Sequence, residues 1–245
     1  MPGARRFYVQ NQGLEKDLFL RDTEHNHLAN VLRLRIGDKI IAMCGDEYDY
    51  TYEITRITKN ETSLMLINKS PNMHNPQKQL TVYIGAIKHD NLALAIEKLN
   101  EIGVTEVVIF KSERSQNVPT KIDKLQTTAN QSCKQCGRSI PLKARGVLTF
   151  SDMLIALPKE NVYYADESSL GEKETLASLR ANATQSLSEA QGCSIIIGPE
   201  GGFTDIERGK LRALATPISL GARILRAETA AIISATILLS IMGEI

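Results

Sequence analysis

Residues 194–207 read SIIIGPEGGFTDIE, and residues 218–231 read ISLGARILRAETAA. Each stretch begins with a short apolar run typical of a buried strand, continues through a loop that contains glycine, and ends where a helix is expected to begin. In an open α/β sheet, ligands bind at the loops that follow the carboxyl ends of the strands. The two stretches therefore predict an α/β domain with a ligand site built from these loops.

The first loop, Gly-Pro-Glu-Gly-Gly at residues 198–202, is suited to holding a ligand by its backbone. Glycine lets backbone N–H and C=O groups approach a ligand closely, and proline stiffens the turn. Thr204 or Asp205 is expected to cap a helix that continues to about Ala215, with Glu207 near its first turn. A tight surface turn would explain the pentapeptide alone. It would not explain the charge of Glu200 or the matching Arg226, which together favour a functional site.

Known nucleotide motifs do not account for these loops, because the sequence contains neither a G-x-x-x-x-G-K-[ST] phosphate loop nor a G-x-G-x-x-G fingerprint. The motifs IGPEGGF, residues 197–203, and LGARILRAETA, residues 220–230, instead resemble the C-terminal signature of the ribosomal RNA small subunit methyltransferase E family of knotted (SPOUT) methyltransferases. The resemblance implies a C-terminal trefoil knot that binds S-adenosylmethionine (SAM), and methylation of N3 of a uridine in 16S rRNA. It extends to HLANVLRLRIGD, residues 27–38, which is similar to the segment that joins a helix to the barrel in the family's PUA-like domain.

Hydrophobic periodicity divides the chain into two domains. Short segments with a period of two predict a small β-barrel over residues 1–70, which the resemblance identifies as PUA-like and RNA-binding. Residues 71–79 are polar, contain proline and are predicted to be a linker. Residues 80–245 alternate between strand and helix patterns, which predicts a parallel sheet covered on both faces. This second domain is expected to bind SAM, catalyse transfer and dimerise.

Catalysis is assigned to Glu200 and Arg226. Glu200 could remove or orient the proton on uracil N3, and Arg226 could stabilise the charge that develops on O2 or O4. Equally, Glu200 could bind backbone N–H groups of its loop and only shape the pocket. The residues expected to contact the cofactor, mainly through backbone groups, are Ala165, Ile196, Ile197, Gly198, Gly201, Leu220, Gly221, Ile224 and Leu225.

The net charge of +1 says little about RNA, but five basic and no acidic residues lie between positions 124 and 151. This run is either an RNA-binding patch or an ordinary solvated face. Within it, Cys136 occupies the place of the usual serine in a Gln-Ser-x-Arg motif of the family. The residues predicted to contact RNA are Arg5, Arg6, Arg33, Arg35, Lys88, Lys134, Arg138, Lys143 and Arg145.

The remaining features concern metals, location and assembly. Cys133 and Cys136 have zinc-like spacing, but Cys44 and Cys193 are too distant to complete a site, so no metal is expected. Four cysteines, no secretory signal and no membrane-length apolar run favour the cytoplasm. Residues 230–242 form an almost uniformly apolar helix, which predicts a homodimer, as the resemblance also implies.

Two other functions stay open on sequence alone. One is a non-catalytic RNA-binding dimer, although the retained Glu200, Arg226 and loop glycines argue against a decayed site. The other is a knotted methyltransferase acting on another RNA site, which the N-terminal barrel disfavours.

Overall fold

The computed structural model describes residues 5–9, 14, 17–119, 121–167, 174–175 and 186–245. The chain forms two compact units. The first unit comprises Met1–Asn75 and Asn130–Pro141, and the second comprises Pro76–Ala129 and Leu142–Ile245.

The first unit contains a five-stranded mixed sheet. Its strands are β1 (Arg5–Tyr8), β2 (Leu18–Arg21), β3 (Lys39–Met43), β4 (Tyr48–Ile57) and β5 (Glu61–Pro71), in the order β1-β3-β4-β5-β2. Only the β1–β3 pairing is parallel among these strands of the described chain. A short helix α1 (Asp22–Asn26) and a π-helical turn (His27–Val31) follow β2.

Strand β4 shows how the sequence builds this unit. Tyr50, Tyr52 and Ile54 alternate toward a core that also contains Phe7 and Leu64. Two irregularities interrupt the register between β4 and β5. The sheet forms a half-barrel, in agreement with the predicted small β-barrel.

The segment Asn130–Pro141 joins the first unit through long-range hydrogen bonds. Asn72 Nδ2 donates to the carbonyl of Gly137 at 2.8 Å, and Asn75 Oδ1 accepts from the backbone N–H groups of Ser139 and Ile140 at 3.1 and 3.0 Å. The sequence did not predict this membership, because residues 80–245 were expected to form one domain. The predicted limits of barrel, linker and catalytic domain stay a prediction.

The second unit contains a parallel sheet, with seven strands in the described part of the chain. The strands are β6 (Gln79–Gly85), β7 (Glu106–Lys111), β8 (Lys143–Thr149), β9 (Val162–Ala165), β10 (Glu174–Thr175), β11 (Gly192–Ile197) and β12 (Thr216–Ser219). Their order is β10-β12-β9-β11-β6-β7-β8. The helices are α2 (His89–Ile102), α3 (Ile122–Cys136), α4 (Phe150–Ala156), α5 (Ser186–Glu189), α6 (Asp205–Arg212) and α7 (Ala227–Met242), of which α3 ends in the first unit.

Apolar clusters cover both faces of this sheet, as predicted. On β6, Val82 belongs to the cluster that includes Leu99 of α2 and Leu238 of α7, whereas Tyr83 belongs to the opposite cluster with Leu211 of α6. The continuous apolar run of β6 is therefore buried on both sides. The trefoil knot stays a prediction. No helix within the described ranges is both long and apolar enough to cross a membrane.

Candidate functional site

A cavity of about 430 Å³ lies in the second unit, where β9, β11 and β12 end. Its volume falls in the range of small-molecule sites, and its location is the one expected for a ligand in a parallel sheet. The lining residues are Ala165, Asp166, Glu167, Ile197, Gly198, Pro199, Glu200, Gly201, Gly202, Ser219, Leu220, Gly221, Arg223, Ile224, Leu225, Arg226, Ala227 and Ala230.

Most of the predicted site residues meet at this cavity. Glu200 and Arg226 both line it, as do eight of the nine residues expected to contact the cofactor: Ala165, Ile197, Gly198, Gly201, Leu220, Gly221, Ile224 and Leu225. Ile196 does not line it. Because side chains alternate along a strand, Ile196 points to the opposite face of the sheet and packs in the cluster that contains Tyr83 and Tyr164. The ligand-binding roles of the lining residues stay predictions.

The loop at residues 198–202 is packed closely against β6. A Cβ atom on Gly85 would lie 2.5 Å from the backbone nitrogen of Pro199, so the loop can reach this position only because residue 85 is glycine. The N–H of Gly202 donates to the carbonyl of Pro199 at 2.8 Å, with Gly202 in the left-handed region at φ +65°. The turn is therefore fixed by its own backbone.

Helix α6 begins directly after this loop with a capping box. Thr204 Oγ1 accepts from the backbone N–H of Glu207 at 3.3 Å, and Glu207 Oε2 accepts from the backbone N–H of Thr204 at 2.9 Å. Glu207 Oε1 also accepts from the backbone N–H of Glu113 at 3.0 Å. The predicted cap at Thr204 is confirmed. The helix ends at Arg212, earlier than the expected Ala215.

Arg208, on α6, binds two carboxylates that line the cavity. Its guanidinium donates to Asp166 Oδ1 and Glu167 Oε1, each at 3.1 Å, and to Asp205 Oδ1 at 3.3 Å. Burial alone would lower the pKa of Arg208. The hydrogen bond and charge of Asp166 and the charge of Glu167 have a larger opposite effect, so the pKa of Arg208 is raised above its ordinary value. The arginine is thus held fully charged against two cavity-lining carboxylates.

Sequence reasoning missed this cluster, although one signal was available. Asp166 and Glu167 directly follow β9, at the edge where ligands of parallel sheets bind. The contact with Arg208 could not be foreseen because it joins residues about forty positions apart.

The second loop leads from β12 to the N-terminus of α7. Gly221 adopts φ +98°, and a Cβ atom placed there would meet no atom within 4 Å. Arg226 is the N-cap residue of α7, and the first residue of the helix, Ala227, also lines the cavity. The positive end of the helix dipole therefore faces this region and favours negative charge.

Glu200 is exposed at the cavity rim, and its Oε1 accepts from the backbone N–H of Lys88 at 3.4 Å. The contact places Lys88, which precedes α2, next to the loop of residues 198–202. Both interpretations of Glu200, as a base and as a loop-shaping acceptor, agree with this geometry.

The predicted RNA contacts divide into exposed and engaged side chains. Arg5, Arg33, Arg35, Lys88 and Lys143 are exposed. Arg6 instead forms a two-bond ion pair with Asp49, both bonds 2.9 Å long. Lys134 pairs with Glu24 at 2.8 Å, and Arg145 pairs with Glu106.

The predicted acid-free patch is not acid-free in the structure. Long-range contacts supply acidic partners to Lys134 and Arg145, and the run is divided between the two units. Arg138 is only 3% exposed, and its Nε donates to the carbonyl of Ile140 at 3.1 Å. Burial lowers the pKa of this guanidinium. We therefore correct the prediction for Arg138, whose buried side chain is not available as a surface contact.

No group of three or more His, Cys, Asp or Glu side chains that could hold a metal ion occurs in the described part of the chain. Cys133 is buried and Cys136 is half-buried.

Comparison with known proteins agrees with the fold. The RNA methyltransferase domain family matches residues 73–239, and the RNA methyltransferase PUA domain family matches residues 20–63. Among curated relatives, ribosomal RNA small subunit methyltransferase E of Rickettsia conorii is 31% identical over 233 residues, covering 93% of this chain and 91% of the relative. The protein of the same name from Bacillus subtilis is 28% identical, covering 84% and 83%.

Solved structures share the fold over almost the whole chain. A probable rRNA methyltransferase from Porphyromonas gingivalis has a TM-score of 0.82 at 26% identity and covers 98% of both chains. Ribosomal RNA small subunit methyltransferase E from Neisseria gonorrhoeae, solved with bound SAM, has a TM-score of 0.83 at 23% identity and covers 97% of both chains.

The two family matches define the class as an RNA methyltransferase domain preceded by a PUA domain. Within that class, the chain belongs to the ribosomal RNA small subunit methyltransferase E family. The resemblance carried by the two loop motifs is thereby confirmed.

Proposed function

We propose that the protein transfers a methyl group from SAM to N3 of a specific uridine in the 16S rRNA of the small ribosomal subunit. The observation that carries this proposal is the cavity in which Glu200 and Arg226 meet the two backbone-rich loops. The printed names of the relatives and the bound SAM of the Neisseria structure support it.

The cavity fits SAM in size and in chemistry. Most of the lining residues belong to loops, and the space beside Gly221 is open. SAM carries both positive and negative groups. The carboxylates of Asp166 and Glu167 would attract its positive groups, and the positive end of the α7 dipole would attract its carboxylate. When bound, SAM supplies a methyl group on a sulfonium.

Neutral uracil N3 is a poor nucleophile because its lone pair is delocalised into the imide. Glu200 is exposed at the rim, where its carboxylate would accept the N3 proton or hold the N–H in line with the methyl group. Arg226, at the N-terminus of α7, would stabilise the negative charge that moves onto O2 or O4. The two loops hold both reactants in place, and such positioning contributes about 7–11 kcal/mol.

RNA would be held by the exposed cations. In the first unit these are Arg5, Arg33 and Arg35, and in the second unit they are Lys88 and Lys143. Phosphate contacts of this kind position an RNA without reading its sequence. A 16S rRNA substrate is consistent with a cytoplasmic location.

The protein would act as a homodimer. Most of α7 is buried against its own unit, but Ile233 remains 36% exposed. Light scattering at micromolar concentration with SAM should give a dimer. Ile233→Glu should lower the dimer fraction, whereas Ser240→Glu, an exposed position on the same helix, should not. A monomeric wild-type protein would contradict this proposal.

The activity is tested by calorimetric titration with SAM and by tritiated methyl transfer to hypomethylated small subunits. We expect binding of SAM, transfer to one uridine, and loss of transfer in Glu200→Gln. RNA binding without SAM binding would favour the non-catalytic dimer. Transfer to a different nucleotide would favour a methyltransferase with another RNA site.

A further inference from the structure

A second cavity of about 350 Å³ lies in the second unit, outside the proposed SAM site. It is lined by Ile87, His89, Asn117, Val118, Pro119, Lys121 and Lys124. These residues come from the segment between β6 and α2, the first residue of α2, the loop after β7 and the start of α3. The cavity therefore lies at the same edge of the sheet as the proposed active site, where ligands of parallel sheets bind.

The lining combines positive charge with an apolar surface. Lys121 and Lys124 are exposed, and no ion pair of either lysine is found within the described ranges. None of the lining residues is acidic. The carboxylate of Asp90, which is fully exposed, lies 3.7 Å from His89 Nδ1.

Apolar groups complete the cavity. Ile87 is completely buried beneath it, whereas Val118 keeps 39% of its surface exposed. Pro119 and Val118 present an apolar wall, and Asn117 adds an amide that can donate and accept hydrogen bonds. A ligand with an anionic group and a flat apolar group fits such a lining, and a nucleotide has both.

The chain links this cavity directly to the proposed catalytic loop. Ile87 and His89 flank Lys88, whose backbone N–H donates to Glu200 at 3.4 Å. A nucleotide in the cavity would therefore lie beside the uridine presented to Glu200. Single-stranded RNA is commonly bound with its bases spread apart, each against its own surface.

We propose that this cavity binds the nucleotide next to the methylated uridine. Lys121 and Lys124 hold its phosphate, and Val118 and Pro119 pack against its base or ribose. The inference rests on the proposed function, because it assigns the cavity to the same RNA substrate.

The first test compares the double variant Lys121→Gln/Lys124→Gln with the control Lys159→Gln/Lys210→Gln. The control lysines are also exposed in the second unit but line neither cavity. In the cavity variant, we expect KM for hypomethylated subunits to rise about tenfold while kcat and SAM affinity stay unchanged. The slope of log affinity against log salt should fall by about 1.4, which is two contacts at about 0.7 each. Equal KM values and slopes in both variants would overturn the proposal.

The second test locates the phosphate. A short RNA containing the target uridine is prepared with one uncharged methylphosphonate at each neighbouring linkage in turn. One linkage should weaken wild-type binding several-fold and have no further effect in the Lys121→Gln/Lys124→Gln variant, because the two changes remove the same contact. The opposite outcome is that, at every linkage, the methylphosphonate weakens binding by the same factor in the variant as in the wild-type protein. In that case the lysines contact none of these phosphates, and the proposal is overturned.

The two tests separate this inference from the proposed function. If wild-type protein transfers no methyl group, the proposed function fails. The cavity is still judged by the non-additive binding effect, which needs no catalysis.

Discussion

Replacing Arg208 by methionine should loosen the proposed active site. Methionine is similar in length to the aliphatic part of the arginine side chain, but it lacks the guanidinium, which lies 3.1 Å from both Asp166 and Glu167. Asp166 is only 4% exposed, so the variant removes a charged partner from a carboxylate that water cannot easily reach. The exposed pair with Asp205 adds little.

The expected cost follows from this burial. Removing one partner of a fully buried ion pair costs about 3–5 kcal/mol, and the partial exposure of Arg208 reduces this to about 2–4 kcal/mol. Since Asp166 and Glu167 line the cavity, we also expect SAM affinity to fall about tenfold or more.

Urea denaturation with and without SAM, together with calorimetric titration, measures both effects. Lys210→Met is the matched control, because Lys210 is exposed on the same helix. The reasoning would be refuted if the Arg208 and Lys210 variants had equal unfolding free energies and equal SAM affinities.

Three further predictions concern the site and the core. Glu200→Gln should lower methyl transfer by about 10²-fold while leaving RNA affinity unchanged, and near-normal turnover in a tritium assay would leave Glu200 with a structural role only. Gly198→Val and Gly221→Val should abolish SAM binding in calorimetry, the first because a side chain there meets the Phe203 ring at 3.2 Å, the second because it enters open cavity space at φ +98°. Wild-type affinity in both would exclude these loops from the site. Burial raises the pKa of Cys193 from 9.0 to about 12, so the folded state favours the neutral thiol. The contribution of Cys193 to the free energy of unfolding is therefore complete below pH 9. It falls by about 1.4 kcal/mol per pH unit between pH 9 and 12. Denaturation from pH 8 to 11 should show a shallower decline for Cys193→Ala, and an equal decline would contradict the assignment.

Features that depend on local pattern were predictable from the sequence. The alternation of strand and helix patterns over residues 80–245 indicated a parallel sheet covered on both faces, and apolar clusters cover both faces of the observed sheet. Thr204 and Glu207 indicated a helix start because a capping box is formed by residues three positions apart. The position of the ligand site followed from where the loops leave their strands.

Features that depend on distant partners were not predictable. Arg138 had the appearance of a surface cation because the sequence did not show that its segment, Asn130–Pro141, belongs to the first unit, where Arg138 is buried. Lys134 and Arg145 lie in a run without acids, yet Glu24 and Glu106 reach them in space. The side chain of Ile196 faces away from the cavity for a different reason, since neighbouring side chains along a strand point to opposite faces of the sheet.

Gly85 sets a limit on how this active site could be redesigned. It lines neither cavity, yet a methyl group on it would collide with the backbone of Pro199 at 2.5 Å and of Gly198 at 3.0 Å. Backbone atoms cannot rotate away as a side chain does, so even alanine would displace the loop that carries Glu200. In a library of variants that covers every position, substitutions at residue 85 should therefore be tolerated as poorly as substitutions of the residues that line the cavity. Engineers who seek a new cofactor preference should keep this position constant and vary the loop that follows β12.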